Sequence, residues 1–167
     1  MFMKTQKEAT AYHEAGHAMA CWLSDRNFKY VTIKPKGDSL GHLKRKNYIR
    51  FETMSITFPT QVGKFFIENF INGAGFVSEK MYRGRNNLVG AKFDFKNMYI
   101  RSLSDLPESF IKKYYTFLAE YTLTVFQLEN NWIMIEAIAE ALIERETLTY
   151  NDVINVVQEA MLNHINN

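Results

Sequence analysis

The spacing of apolar residues predicts a helix at the start of the chain, followed by two short strands. Lys4–Leu23 has apolar residues at helical intervals and contains no proline, so we predict a first helix there. Tyr30–Lys34 is rich in β-prone residues and predicts a strand that the turn-forming Pro35–Asp38 ends. Gly41–Tyr48 predicts a second strand. The two strands would form a β-hairpin or two edge strands beside the first helix.

The pattern after the second strand predicts helices throughout. Pro59 is placed to open a helix that runs towards Tyr82, with Gly73–Gly75 permitting close packing inside it. Four later helices are predicted: from Asp94 to about Leu103, from Pro107–Glu108 to a break at Asn130–Asn131, from Ile133 to Arg145, and from Asn151 to His164 after a capping pair, Thr149 and Asp152. The predicted fold class is mainly α with a small β-sheet near the N-terminus (α+β), in a single domain over residues 1–167.

Composition narrows the class of protein. The hydrophobic fraction of 47% suffices for a packed core, and 20 basic against 18 acidic residues leave a net charge of only +2. Because no long run of one charge occurs, nucleic-acid binding is not expected. No segment reaches the length of a membrane span, and the first residues are too quickly polar for a signal peptide. The one cysteine, Cys21, fits a reducing compartment and a small buried side chain, so we expect a cytoplasmic protein.

A metal-binding pattern lies inside the first predicted helix. His13, Glu14 and His17 match H-E-x-x-H, with Ala15 and Gly16 between them. Residues four apart project from nearly the same side of a helix, about 6 Å apart along its axis, so both imidazoles can bind one metal ion. Zinc accepts imidazole nitrogen, and a neighbouring carboxylate can act as general base on water. Gly16 is unfavourable in a helix, which indicates close packing by another segment.

The spacing of residues does not select a third metal ligand. A catalytic zinc site commonly has three protein ligands, and a carboxylate can be the third. The carboxylates that remain eligible on sequence grounds are Asp38, Glu68, Glu79, Asp94 and Asp105.

Several segments resemble one family in the same order along the chain. Ala11–Ala18 resembles the start of the protease domain of FtsH-type zinc proteases, the membrane-bound AAA proteases. Val31–Gly37 with Leu40–Gly41 resembles the family's strand, turn and second strand. Leu88–Asp94 resembles its Thr-Gly-Ala-x-x-Asp element, and Leu142–Leu148 its closing helix and turn. The resemblance therefore extends over nearly the whole chain.

This resemblance implies an FtsH-like peptidase domain with Zn²⁺ as its cofactor. The ligands that it implies are His13, His17 and Asp94, and it makes Glu14 the catalytic general base. Residues 1–105 would then form the metal-site half with the small sheet, and residues 106–167 the C-terminal helices.

The second predicted strand is also a candidate for substrate binding. An exposed strand edge can pair with an extended peptide through backbone hydrogen bonds. The resemblance supports this role for Gly41, His42 and Leu43. Taken alone, a strand histidine such as His42 is more often merely exposed.

Two features depart from the family. Its proteases carry an ATP-driven unfolding module, whereas this sequence has no G-x-x-x-x-G-K-[ST] motif, since its only Gly-Lys pair, Gly63-Lys64, is followed by Phe65. The family's Gly-Gly-Arg-Ala-Ala-Glu segment corresponds to Asn72–Glu79, which lacks the arginine.

The leading hypothesis is a zinc metalloendopeptidase that hydrolyses peptide bonds in unfolded or flexible polypeptides without its own ATP-driven unfoldase. The alternative is a zinc-stabilised binding or regulatory module that docks on a larger protease or partner, with little or no turnover. A third, weaker interpretation is a metal-dependent hydrolase of a non-peptide bond. The expected partner is a polypeptide substrate, while a homo-oligomer and a separate partner unfoldase remain open.

Overall fold

The computed structural model of the protein describes residues 5–46, 59–85, 87 and 107–166. Over these ranges it is mainly helical, with one small antiparallel sheet. The elements are α1 (Gln6–Leu23), β1 (Phe28–Thr32), β2 (His42–Arg45), α2 (Pro59–Arg83), α3 (Glu108–Gln127), α4 (Glu129–Arg145), β3 (Thr147–Thr149) and α5 (Tyr150–Ile165). The predicted α+β class is confirmed at this level.

Helix α1 is the central element of the core. It begins with a capping box, in which the Thr5 hydroxyl accepts from the backbone N–H of Glu8 and the Glu8 carboxylate accepts from the backbone N–H of Thr5. Every residue from Ala9 to Cys21 is buried. Five of these residues are alanine and one is glycine, so α2 and α4 can approach α1 closely from different sides.

The sheet has the strand order β2-β1-β3, with both pairings antiparallel. β1 and β2 form the predicted hairpin, and β2 lies at one edge of the sheet over the described residues. Phe28 and Val31 are both fully buried although they stand three residues apart. A β-bulge explains this, because Phe28 and Tyr30 pair with the consecutive residues Arg45 and Lys44, which leaves Lys29 as the extra residue.

Strand β3 corrects the prediction that only helices follow the hairpin. Glu146 ends α4 in the left-handed region with φ of 61°, and the chain turns there into Thr147–Thr149. The Glu146 carbonyl accepts from the backbone N–H of Ile33 and from the Thr32 hydroxyl, each at 2.9 Å. The C-terminal part of the chain therefore supplies one strand of the sheet.

The predicted break at Asn130–Asn131 is also wrong. α3 ends and α4 begins around Leu128, whose backbone is extended, and both asparagines lie inside α4. The Asn131 side chain donates a hydrogen bond to the Val125 carbonyl at 2.8 Å, so it satisfies an acceptor at the end of α3. The helix predicted from Asp94 to about Leu103 lies outside the described residues.

Cys21, helix α5 and the lengths of the helices agree with the sequence pattern. Cys21 is fully buried, as predicted for a small apolar core residue. Burial raises the pKa of its thiol to about 12. The capping pair Thr149 and Asp152 is present at the start of α5, and His164 near its end is exposed. In the described part of the chain, none of the helices has the length and apolar character that a membrane span needs.

Candidate functional site

The H-E-x-x-H residues lie where α1 crosses α2. A Cβ atom added to Gly16 would fall 2.6 Å from the Ala74 carbonyl oxygen and 2.6 Å from Ser78 Cβ, so only glycine allows this approach. The prediction of close packing at Gly16 is confirmed. The crossing buries the three polar side chains of the motif, since His13, Glu14 and His17 expose 8%, 4% and 7% of their surface.

One face of α2 supports both histidines. Ile71, Gly75 and Glu79 are spaced four apart and therefore share this face. His17 Nδ1 lies 2.7 Å from the Ile71 carbonyl oxygen, and His13 Nδ1 lies 3.1 Å from Glu79 Oε2. Gly75 stands between these two contacts, with room for neither a methyl group nor a larger side chain beside the imidazoles.

These contacts determine which nitrogen of each histidine carries the proton. A backbone carbonyl only accepts hydrogen bonds, so Nδ1 of His17 donates and, in the neutral ring, Nε2 keeps the lone pair. An ionised Glu79 likewise only accepts, which places the Nδ1 proton on His13. The two Nε2 atoms are 3.2 Å apart. Two lone pairs at this separation repel unless a proton is shared between them or a cation binds both.

The separation suits a metal ion. Two nitrogens at about 2.0–2.1 Å from one tetrahedral zinc ion are about 3.3–3.4 Å apart, close to the observed distance. Histidines that bind metals usually donate their other ring N–H to a carbonyl or a carboxylate, as His17 and His13 do here. The donor pair and its supporting contacts therefore fit zinc.

The environment of Glu79 keeps its carboxylate ionised. Burial alone would raise the pKa of Glu79, but hydrogen bonds from His13 and Asn87 and the nearby charge of Arg83 outweigh it and lower the pKa. The Asn87 amide donates to Glu79 Oε1 at 2.8 Å, and Arg83 Nε forms an ion pair with the same oxygen at 2.8 Å. An ionised Glu79 increases the basicity of His13 at Nε2, since it accepts a hydrogen bond from the Nδ1–H of the imidazole.

Glu14, the carboxylate of the H-E-x-x-H motif, lies against Gly41, the residue just before β2. A Cβ atom added to Gly41 would fall 2.8 Å from both Cγ and Oε1 of Glu14. A residue other than glycine at position 41 would therefore displace this carboxylate. The fold thus brings the edge strand, the general-base candidate and the histidine pair into one neighbourhood.

The other two predicted substrate residues lie on opposite faces of β2. Leu43 pairs with the buried Val31 and packs on the core, whereas His42 pairs with Thr32 on the other face. His42 Nε2 lies 3.2 Å from the Tyr30 hydroxyl. Burial, followed by the charges of Lys36 and Lys44, lowers the pKa of His42. A substrate role for these two residues would therefore rest on the strand backbone.

Asp94, the implied third ligand, lies outside the described residues. Within the described ranges, no group of three or more His, Cys, Asp or Glu side chains is arranged to hold a metal ion. Two of the other eligible carboxylates have different contacts: Glu79 binds His13 on the side away from Nε2, and Glu68 pairs with Arg45. Asp38 lies in the turn between β1 and β2, and Asp105 lies outside the described residues.

Sequence reasoning did not find the supporting residues. Glu79 and Arg83 stand four apart, and this spacing alone could have indicated their ion pair. No sequence signal joins Glu79 to His13, which are 66 positions apart, or the Ile71 carbonyl to His17. No sequence pattern indicates that Asn87, which follows α2, donates a hydrogen bond to Glu79.

Comparison with known proteins adds no assignment. Neither the family models nor the curated proteins that were searched match this chain.

Proposed function

We propose that the protein is a zinc-dependent metallopeptidase that hydrolyses peptide bonds in unfolded or flexible polypeptides. One observation carries the proposal: the Nε2 atoms of His13 and His17 converge to 3.2 Å while each Nδ1 is held by an acceptor. A buried histidine pair arranged in this way has the donor geometry of a zinc site. Glu14, adjacent in sequence and buried beside the pair, supplies the carboxylate that hydrolysis needs.

The site residues have three roles: binding zinc, transferring protons and orienting the imidazoles. His13 and His17 would bind zinc through Nε2, and Asp94 would be the third ligand on the strength of the family resemblance. When bound, zinc supplies Lewis acidity, which polarises a carbonyl group and makes water more acidic. Glu14 takes a proton from the attacking water on a carboxylate oxygen and later delivers it to the leaving amine. Glu79 and the Ile71 carbonyl hold the two imidazoles in the binding orientation.

The placement of β2 supports a polypeptide substrate. β2 is one of the two edge strands of the described sheet, and Gly41, the residue just before it, lies against Glu14. A peptide that adds to this edge must be extended, because strand pairing uses its backbone N–H and C=O groups. Folded proteins hold those groups in their own structure, so they should be poor substrates.

Metal content and cleavage together test the proposal. The wild type, reconstituted with zinc and freed of excess metal, should hold about one zinc per chain and cleave fluorescein-labelled casein. His13→Ala and Asp94→Ala should each lose the metal. Glu14→Gln should keep it while cleavage falls by on the order of a hundredfold or more. Glu159→Gln, a charge-matched change at an exposed position, should alter neither property.

Each result has a distinct meaning. A folded wild type that binds no zinc would contradict the whole proposal. Zinc binding without cleavage would favour the binding or regulatory module instead. Equal cleavage of a folded protein and its unfolded form would contradict the substrate class while leaving the peptidase activity intact.

A further inference from the structure

A largely buried positive charge lies beneath strand β2. Arg45 is the last residue of β2 and shares a face with Leu43, which points towards the core. The bulge at Lys29 places Arg45 opposite the fully buried Phe28. Its side chain exposes only 12% of its surface, so the guanidinium lies under the sheet rather than in solvent.

Two polar residues of α2 accept hydrogen bonds from this guanidinium. Arg45 Nη1 donates to Glu68 Oε2, and Nη2 donates to Asn72 Oδ1. Glu68 and Asn72 expose 2% and 4% of their surface and stand four apart on α2. Arg45, Glu68 and Asn72, here called the Arg45 cluster, therefore join the end of β2 to α2 through two hydrogen bonds, one of them within a buried ion pair.

A buried ion pair such as Arg45–Glu68 is by itself weak evidence of a contribution to core stability. Burying two charges is costly, and apolar residues of similar volume are often equally stable or more stable at such positions. In several proteins, however, a buried polar contact specifies one arrangement over others. Strand β2 has four residues and pairs with one strand over the described part of the chain. It needs such a constraint, because a slip of one residue would turn every side chain to the opposite face.

The same helix holds the histidine pair. Ile71 and Glu79 of α2 contact His17 and His13, and Glu68 and Asn72 of α2 contact Arg45. Strand β2 and the histidine pair are thus positioned from one rigid element. A displacement of β2 along α2 would also move Gly41 relative to Glu14, which it touches.

We infer that Arg45 and Glu68 are positioning residues that hold strand β2 in register for pairing with an extended peptide beside Glu14. This inference rests on the proposed peptidase function. It makes the Arg45 cluster responsible for substrate affinity, whereas the face of α2 formed by Ile71, Gly75 and Glu79 is responsible for metal affinity.

A double variant separates positioning from stability. Arg45→Met with Glu68→Met replaces both charges by apolar side chains of similar length, so neither charge is left buried alone. Asn72 keeps its place but loses the hydrogen bond from Arg45. We expect an unchanged zinc content and a folded protein whose melting temperature falls no further than the loss of the Asn72 hydrogen bond requires. KM for fluorescein-labelled casein should rise on the order of fivefold or more, with kcat changed less than about twofold. Amide hydrogen exchange of residues 42–45 should be faster than in the wild type.

Further variants and a second readout keep the test independent of turnover. In the Glu14→Gln background, the affinity for labelled casein should fall by the same factor as KM rises. Arg45→Lys keeps one charge but cannot make both contacts, so its effect should be intermediate. Lys34→Met removes one charge from an exposed ion pair with Glu146 and should leave KM and exchange unchanged.

The inference and the proposed function fail differently. Unchanged KM, unchanged casein affinity and unchanged exchange in a folded, active double variant would overturn the inference and leave the peptidase intact. Absence of cleavage and of zinc in the wild type would overturn the proposed function itself. If the double variant does not fold, Arg45→Lys decides: KM equal to that of the wild type overturns the inference.

Discussion

Gly75 lies directly against His17: a Cβ atom at position 75 would fall 2.4 Å from His17 Nε2. The same atom would be 2.7 Å from His13 Nε2. A single methyl group on α2 would therefore occupy the space between the two nitrogens that converge on the candidate metal position. Residue 75 must therefore be glycine because of the two imidazoles on α1, although glycine is unfavourable within helix α2.

Gly75→Ala should weaken zinc binding strongly, because the added methyl group forces the imidazoles out of their convergent arrangement. We expect zinc affinity to fall at least about tenfold, measured by competition with a chelator, and cleavage to fall with it. Gly63→Ala is the matched control, since a Cβ at this exposed position of the same helix meets nothing within 4 Å. Equal zinc affinity in both variants would contradict the placement of the metal between His13 and His17.

Gly16→Ala should destabilise the fold. Alanine is better than glycine inside a helix by about 1 kcal/mol, but the new methyl group would clash with Ala74 and Ser78. Overpacking of this kind costs about 1–3 kcal/mol, so the net free energy of unfolding should fall, as measured by urea denaturation. Gly63→Ala should instead leave stability unchanged or raise it. A stabilised Gly16→Ala variant would mean that α1 and α2 do not cross as closely as described.

Glu79→Gln should lower metal affinity while the fold persists. The neutral amide no longer holds the Nδ1 proton of His13 with a full charge, and the ion pair with Arg83 is lost. Loss of such a supporting contact typically reduces metal affinity by about 10–100-fold. Zinc affinity and circular dichroism should be measured together, with Glu144→Gln as an exposed control. If Glu79→Gln binds zinc like the wild type, Glu79 has no role in orienting His13.

The capping box of α5 should make stability depend on pH in the acid range. Hydrogen bonds from the hydroxyl and the backbone N–H of Thr149 hold the pKa of Asp152 below its ordinary value of 3.8, although slight burial opposes them. Because folding lowers this pKa, the stabilisation is present above the ordinary value and is lost as the pH falls through the folded-state value. The wild type should therefore lose more stability between about pH 6 and about pH 3 than Asp152→Asn does.

Urea denaturation at both pH values measures this difference. Glu159→Gln, on the same helix and exposed, should respond to acid like the wild type. An identical acid response in Asp152→Asn would show that the carboxylate gains nothing from its contacts with Thr149.

The elements that depend on neighbouring residues could be predicted from the sequence, whereas long-range strand pairing could not. The hairpin, the capping box at Thr149 and the start of α2 at Pro59 were predicted, since each depends on neighbours within a few residues. β3 was not predictable, because its three residues pair with a strand more than a hundred positions earlier. The turn that leads into it uses Glu146 in a conformation that favours glycine.

The sequence by itself determined that His13, Glu14 and His17 share one region of a helix, since residues four apart on a helix project from the same side. Only the tertiary structure decided what surrounds them: Glu79 behind His13, the Ile71 carbonyl behind His17, Gly75 beside both, and Gly41 against Glu14. These relations depend on the route of the chain and on close packing between elements that are far apart in sequence. Hydrophobic periodicity says which face of a helix is buried, but it does not say which residue of a distant helix will meet it.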